Sequence, residues 1–181
     1  MSGVRRLTGE EVKLMLAKAN HKTKLLVIIG VSYGTRVSES LELTFGDFAD
    51  DRVTIKGKKH GMIQSYPVTS AVSSAVSALK KWYESKDIVV TSQTPLFLGA
   101  DGKAMTRQAA SARIKRLARK LKINGRVNTH SLRKAFVTEI YERTNKDLAK
   151  TRLYSRHKSL SNLQYYIDSG VSTDIVDEIN W

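Results

Sequence analysis

Cysteine is absent from the 181 residues. That excludes a disulfide framework, a thiolate zinc site and a cysteine nucleophile, and it fits a reducing compartment. Proline occurs twice and glycine 11 times, too few for a collagen-like or linker-like chain. No apolar run approaches the ~18 residues that a membrane-spanning helix needs. Met1-Ser2-Gly3-Val4-Arg5-Arg6 is not followed by the apolar core of a secretory signal. No internal repeat is visible. Acidic residues are in deficit: 17 Asp and Glu face 31 Lys and Arg, for a formal net charge of +14 and a pI of about 10.0.

The hydrophobic fraction of 41% and aromatic fraction of 7% are those of a globular chain. The length suits one domain with its own core and is tight for two. A single domain this basic points to a polyanionic partner, with nucleic acid first. The charge is unevenly spread. The last 14 residues, Asp168 to Trp181, hold four acidic residues and no basic one, so the preceding 167 carry +18. Val171, Ile175, Val176, Ile179 and Trp181 make that tail amphipathic. It reads either as a helix packed on its own domain or as a tail docked on a neighbouring subunit.

Local signals outline a mainly α chain with one small antiparallel sheet. Thr8 and Glu11 form a capping-box pattern ahead of Val12, Leu14, Met15 and Leu16. Lys24 to Val31 reads as a buried helix by length and flanks. Gly34-Thr35-Arg36 breaks the pattern, and Val37 to Leu43 reads as a short helix. Arg52 to Lys56 and Met62 to Val68 alternate like two strands around Gly57-Lys58-Lys59-His60-Gly61. Thr69 or Ser70 can cap a helix running to about Lys86, and Thr106 a long one to about Leu121. Pro95 to Leu98 reads as extended, Ala100 to Lys103 as a turn, and further helices are expected near 130–143, 145–153 and 160–167.

The helix over 107–121 is basic. Ala110, Ile114, Leu117 and Leu121 form its core-facing stripe. Arg113, Arg116 and Lys120 share one outer face; Lys115, Arg119 and Lys122 share another, and no acid interrupts the stretch. A face of one sign suits phosphate contact, so Arg107, Arg113, Arg116, Arg119 and Lys120 are candidate DNA-binding residues. Such contacts carry no sequence readout.

Several side chains could do chemistry on a phosphate. His130 and Arg133 lie at i and i+3 where Asn128-Thr129 opens a helix, a place suited to an anion. Arg36 starts another helix, with Glu39 three residues on to hold its guanidinium. Lys59 lies at the hairpin tip. His157 precedes a helix carrying Tyr165 and Tyr166, which point about 100° apart. Singly these read as a surface ion pair, a turn lysine and an anion-friendly helix start.

Their order and spacing resemble the tyrosine recombinase (phage integrase) family. Gly34-Thr35-Arg36-Val37-Ser38-Glu39-Ser40-Leu41 and the following Leu43-x-x-x-Asp47 look like its first-arginine box. Lys59-His60-Gly61 through Tyr66-Pro67 looks like its lysine hairpin, with proline eight residues after the lysine. Thr129-His130-Ser131-Leu132-Arg133-Lys134-Ala135-Phe136 looks like the second box, and His157-Lys158-Ser159 through Gln164-Tyr165-Tyr166 like the third. The resemblance spans roughly residues 7–167, so it implies a catalytic domain over 1–167 and a tail over 168–181, with the mainly helical α+β fold of that family.

The resemblance also implies roles. Tyr166 attacks the scissile phosphate and forms a 3′-phosphotyrosyl link. Arg36 and Arg133 clamp the non-bridging oxygens. Lys59 protonates the leaving 5′-oxygen, His130 acts as general acid–base toward the tyrosine, and His157 hydrogen-bonds the phosphate. Glu39 stands behind Arg36. Two guanidiniums can supply the charge neutralisation that other phosphoryl-transfer enzymes take from Mg²⁺, so neither metal nor cofactor is expected. The implied partners are double-stranded DNA and, on DNA, three further copies in a homotetramer, with a monomer in solution left open. The implied setting is the cytoplasm of a bacterial host, in the service of a phage or mobile element.

Alternatives remain at this point. Lys58 competes with Lys59, and Tyr165 with Tyr166; the spacings to Pro67 and from His157 favour the second of each. Ser155-Arg156-His157 stands where the family usually has Leu-Gly-His, so a glycine is missing at the turn before His157. The pattern starts almost at Met1, whereas full-length members usually carry an N-terminal helical DNA-binding domain that closes a clamp. An isolated catalytic domain is therefore expected, binding DNA weakly and with strong salt dependence. A non-catalytic basic DNA-binding module and a type IB topoisomerase-like enzyme without partner exchange are the competing functions.

Overall fold

A computed structural model describes residues 3–57, 63–157, 159–164 and 167. Helix α1 (Gly9–Lys18) begins with a complete capping box: the Thr8 hydroxyl accepts from the Glu11 amide at 3.2 Å and the Glu11 carboxylate accepts from the Thr8 amide at 3.0 Å. Asn20 caps α2 (His21–Tyr33) by accepting from the Thr23 amide at 3.0 Å.

Helix α2 is the axis of the fold. Leu25, Leu26, Val27, Ile28 and Ile29 are consecutive and all buried, so the helix is apolar all round and must be surrounded by other elements. It packs against α1, against α4 (Ser70–Glu84), against α5 (Arg107–Lys120) and against α6 (Thr129–Arg143). Gly30 allows the closest of these approaches: a β-carbon there would lie 2.8 Å from the Leu132 β-carbon of α6.

The strands β1 (Arg52–Lys56) and β2 (Ile63–Pro67) pair antiparallel, from Arg52 opposite Pro67 to Lys56 opposite Ile63. Val53, Ile55 and Tyr66 turn inward to the core. Isolated bridges join Thr44 to Pro95 and Leu98 to Ala104. The architecture is thus mainly helical with one two-stranded sheet, as the sequence patterns require. Among the described residues no helix is long and apolar enough to cross a membrane.

Two expected boundaries move. The short helix α3 covers only Val37–Ser40; it stops because the Asp47 carboxylate accepts from the Thr44 amide and hydroxyl at 2.8 and 2.9 Å, closing a turn that feeds the bridge to Pro95. The helix expected from 145 is α7 (Leu148–Ser155). Asn145 and Lys146 have φ of 54° and 62°, left-handed values incompatible with a helix start, and Asp147 caps instead by accepting from the Lys150 amide at 2.9 Å. The last described helix is α8 (Leu160–Gln164), and the next two positions of the expected 160–167 helix lie outside the described residues.

Candidate active site

The C-terminus of α2 organises the site. Gly34 closes the helix in the left-handed region, φ 57° and ψ 31°, with its N–H on the Gly30 carbonyl at 3.1 Å. This turn frees the Tyr33 and Gly34 carbonyls from the helix ladder and sends the chain into Thr35, whose hydroxyl is 2.6 Å from that of Ser40. Arg36 then starts α3. The Glu39 carboxylate accepts from the Arg36 amide at 2.9 Å through Oε2 and from the Arg36 Nη1 at 2.9 Å through Oε1. The Arg36 side chain is 36% exposed, whereas that of Glu39 is wholly buried. This is therefore no surface ion pair: the carboxylate is a buried anchor with an arginine reaching outward from it.

Helix α6 brings the second pair. Asn128 caps it by accepting from the His130 amide at 2.8 Å, and the Ser131 hydroxyl accepts from the Asn128 amide at 3.2 Å. His130 is exposed on the first turn. Arg133, one turn on, has 0% exposure. Its Nη1 donates to the Gly34 carbonyl, and its Nη2 donates to the Ser155 carbonyl at 2.8 Å and lies 3.4 Å from His157 Nε2. The His157 Nδ1 is 2.7 Å from the Ser155 hydroxyl. A guanidinium can only donate, so in this contact Nε2 is the bare nitrogen and Nδ1 carries the proton to Ser155.

Both imidazoles are held neutral. Burial, then the charges of Arg133 and Arg36, then His130 and Arg156, push His157 down to about 3. Desolvation of the protein-facing side of its ring, then the charges of Arg133, Lys134 and Arg36, hold His130 below the usual histidine value. That the two histidines feel each other and both arginines puts all four side chains in one electrostatic cluster.

Arg156 was not among the expected site residues, and it is the fifth member. It occupies the missing-glycine position with φ 56° and ψ 38°, so the left-handed turn before His157 persists without glycine. Its side chain is buried. Nη2 lies 3.2 Å from the Tyr33 carbonyl, 3.4 Å from the Gly34 carbonyl and 3.2 Å from Glu39 Oε2. The guanidinium carbon sits 5.6 Å from the Tyr66 ring centre. The absent glycine left this turn open in the sequence, and the inward-facing guanidinium carried no local signal. Among the described residues three guanidiniums and the Glu39 carboxylate meet at this point, a positive field suited to a phosphate gaining charge.

Lys59 and its neighbour Lys58, the tyrosine pair Tyr165 and Tyr166, and the tail over 168–181 lie outside the described residues. Their described neighbours fall around the cluster. Tyr66 of β2 donates to the Tyr154 carbonyl at 3.0 Å, tying the lysine hairpin to α7. Leu163 and Ile167, on either side of the tyrosine pair in sequence, pack with Phe136 and Val137 of α6.

The basic helix α5 packs against α3, the helix that Arg36 opens. Ala110, Ile114, Leu117 and Ala118 face the core, and Leu121 is half-buried at the C-cap. Arg107, Arg116, Arg119 and Lys120 are exposed and Arg113 is half-buried. Arg113, Arg116 and Lys120 line an open pocket of about 210 Å³ together with Lys18, Asn20 and Thr23.

Known proteins are similar to this chain in sequence and in fold. Over 136 residues the chain is 32% identical to tyrosine recombinase XerD of Chlamydia trachomatis, covering 74% of this chain and 44% of that protein. The crystal structure of XerA recombinase superposes with a TM-score of 0.76 at 18% identity, covering 98% of this chain and 65% of that one. The XerH site-specific recombinase bound to its difH substrate in a pre-cleavage complex gives 0.70 at 23% identity, over 89% of this chain and 49% of that one. The chain spans about half the length of the curated relatives it matches. Residues 5–172 match the sequence profile of the phage integrase family, nearly the whole chain, and with the arginine–histidine cluster built on the end of α2 the protein belongs to that family.

Proposed function

We propose that this chain is the catalytic domain of a site-specific tyrosine recombinase that cuts and rejoins double-stranded DNA. The observation that carries the reading is the convergence of Arg36, His130, Arg133 and His157 from three separate segments onto the end of α2. In this reading the Tyr166 hydroxyl oxygen attacks the scissile phosphorus. The bond from phosphorus to the 5′-oxygen breaks, leaving a 3′-phosphotyrosyl link and a 5′-hydroxyl protonated by Lys59. Rejoining runs the same step backwards, with the 5′-hydroxyl as nucleophile, and needs no nucleotide because the phosphotyrosine keeps the bond energy.

Each residue's state supports its role. A neutral His130 can take the tyrosine proton. Arg36, half in solvent, can reach a non-bridging oxygen, and Arg133 supplies charge from the floor of the site. Two guanidiniums do here what a metal ion does in other phosphoryl transfers. The exposed cations of α5, beside α3, extend a positive track along which duplex phosphates can lie. The recombinase XerH is bound to difH DNA in its solved complex, which supports duplex DNA as partner for this chain. Assembly as a tetramer on DNA, and a monomer in free solution, follow from the same reading.

The test is incubation with supercoiled plasmid in EDTA, without ATP, quenched with SDS. Wild type should relax the plasmid and leave an SDS-stable protein–DNA adduct. Tyr166→Phe and Arg133→Ala should abolish the adduct and Tyr165→Phe should retain it. DNA binding with no adduct from wild type would support a non-catalytic module instead. Loss in Tyr165→Phe alone would move the nucleophile by one residue.

A further inference from the structure

Arg156 sits where glycine would be free of strain, and it does so at three separate costs. It holds a left-handed backbone (φ 56°), disfavoured for any residue with a β-carbon. Its charge is desolvated, with 4% residual exposure. Its Nε and Nη1 are buried with no acceptor among the described residues. An apolar side chain would fill the same space without the last two. Something other than packing keeps an arginine here.

The contacts show what it touches. The Gly34 carbonyl that receives Arg133 Nη1 is also 3.4 Å from Arg156 Nη2. The Glu39 carboxylate that receives Arg36 through Oε1 also pairs with Arg156 through Oε2 at 3.2 Å. The same guanidinium rests on Tyr66, in the strand that returns from Lys59. One side chain thus joins the acceptors of both outer arginines to the lysine hairpin, and its backbone leads directly into His157.

We propose that Arg156 is a positioning residue: it fixes the Glu39 carboxylate and the Gly34 carbonyl together, and so sets the spacing at which Arg36 and Arg133 meet a phosphate. The role rests on the recombinase reading of the site. With Oε2 engaged by Arg156, the carboxylate cannot rotate away from Arg36. Without it, Glu39 is held only by Arg36 itself, through the amide and Nη1, and nothing ties that pair to the turn before His157. Arg156 itself does not touch substrate; it lies beneath the cluster.

The test compares wild type, Arg156→Gly and Arg156→Lys, each shown by circular dichroism to be folded at the assay temperature. Glycine relieves the backbone strain, so a defect in Arg156→Gly comes from the lost guanidinium. Two readouts are taken: adduct formation on supercoiled plasmid beside duplex affinity, and a titration with inorganic phosphate followed by the histidine ring NMR signals. Arg156→Gly should bind duplex like wild type yet form adduct roughly tenfold to a hundredfold more slowly, the scale of an ångström-sized misplacement. Its phosphate midpoint should rise about tenfold, a weakening of about 1.4 kcal/mol. Arg156→Lys should fall between, since an ammonium cannot bridge both acceptors as a planar fork does; it decides the question if the glycine variant does not fold. Wild-type adduct rate and phosphate midpoint in a folded variant would overturn the role of Arg156. Wild type that neither binds phosphate nor forms adduct would overturn the reading of the site instead, and the two failures appear in different proteins.

Discussion

Replacing Gly34 by alanine strikes both the fold and the site, and its cost can be worked from geometry. The residue has φ 57°, so any β-carbon pays about 1–2 kcal/mol for the left-handed backbone. The new methyl would also have no room. It would lie 2.7 Å from Phe136 Cε1 and 2.9 Å from Cγ, and nearer still to Cδ1, against ~3.5–4.0 Å for an ordinary carbon contact. Phe136 is buried among Val137, Leu163 and Ile167, so its ring must shift about 1 Å into packed neighbours, an overpacking cost of about 1–3 kcal/mol. The sum, about 2–5 kcal/mol, is a large part of a typical stability of about 5–15 kcal/mol. Urea unfolding gives the number. Gly102→Ala is the control: φ is 74° there, but a β-carbon meets nothing within 4 Å, so only the backbone cost of about 1–2 kcal/mol applies. If Gly34→Ala were no more destabilising than Gly102→Ala, the close approach of Phe136 would not limit this turn and the reasoning would fail.

Other perturbations separate the remaining contacts. Glu39→Ala should destabilise by about 3–5 kcal/mol, because it strands the buried Arg156 charge; a loss under about 1 kcal/mol in urea unfolding, the scale of an exposed ion pair, would return Glu39 to that class. Above pH about 6.5 neither folded nor unfolded chain protonates residue 157. Below it the unfolded chain takes the proton while the folded one resists to about 3, so stability should fall as pH drops through that window. His157→Gln should flatten this slope; equal slopes for wild type and variant would place the acid sensitivity elsewhere. Ser155→Ala removes the hydroxyl 2.7 Å from His157 Nδ1 and should cost about 1–3 kcal/mol for the stranded ring nitrogen. The imidazole ¹⁵N shifts should change with it, and unchanged shifts would show that Ser155 does not set the tautomer.

Features encoded within a few residues were legible in the sequence. The caps at Thr8, Thr69 and Thr106 each needed only a hydroxyl and an amide three residues on, and the boxes around Arg36 and His130 kept their helix starts. The pairing of Glu39 with Arg36 was legible from the i, i+3 spacing. Its burial was not, because the second guanidinium on that carboxylate comes from 117 residues away. The boundary of α7 was missed because Asn145 and Lys146 both take left-handed conformations; asparagine tolerates that region, but lysine gives no sign of it. At 156 the missing glycine left the turn before His157 open in the sequence; the turn forms all the same, and the arginine there acts through contacts with Tyr33, Gly34, Glu39 and Tyr66, none of them a sequence neighbour.

The freed carbonyls at the end of α2 have a consequence for the order in which the molecule can be assembled. Among the described residues they find side-chain donors in Arg133 and Arg156, 99 to 123 residues later. During synthesis the apolar axis of the domain can therefore collapse onto α1, α4 and α5 while this helix end still faces water. Closing it is a long-range step, slow in loop entropy, and the loop that closes it is the one that carries His130, Arg133 and His157 into place. The same connection can open without dissolving the main core: detachment of α7 and α8 would pull Arg156 from the Tyr33 carbonyl and from Glu39 and carry His157 away in one event, leaving Arg133 on α6 and Arg36 at the start of α3. Amide hydrogen exchange should find the segment from Leu148 to Leu163 opening as a unit at lower free energy than Leu25 to Ile29.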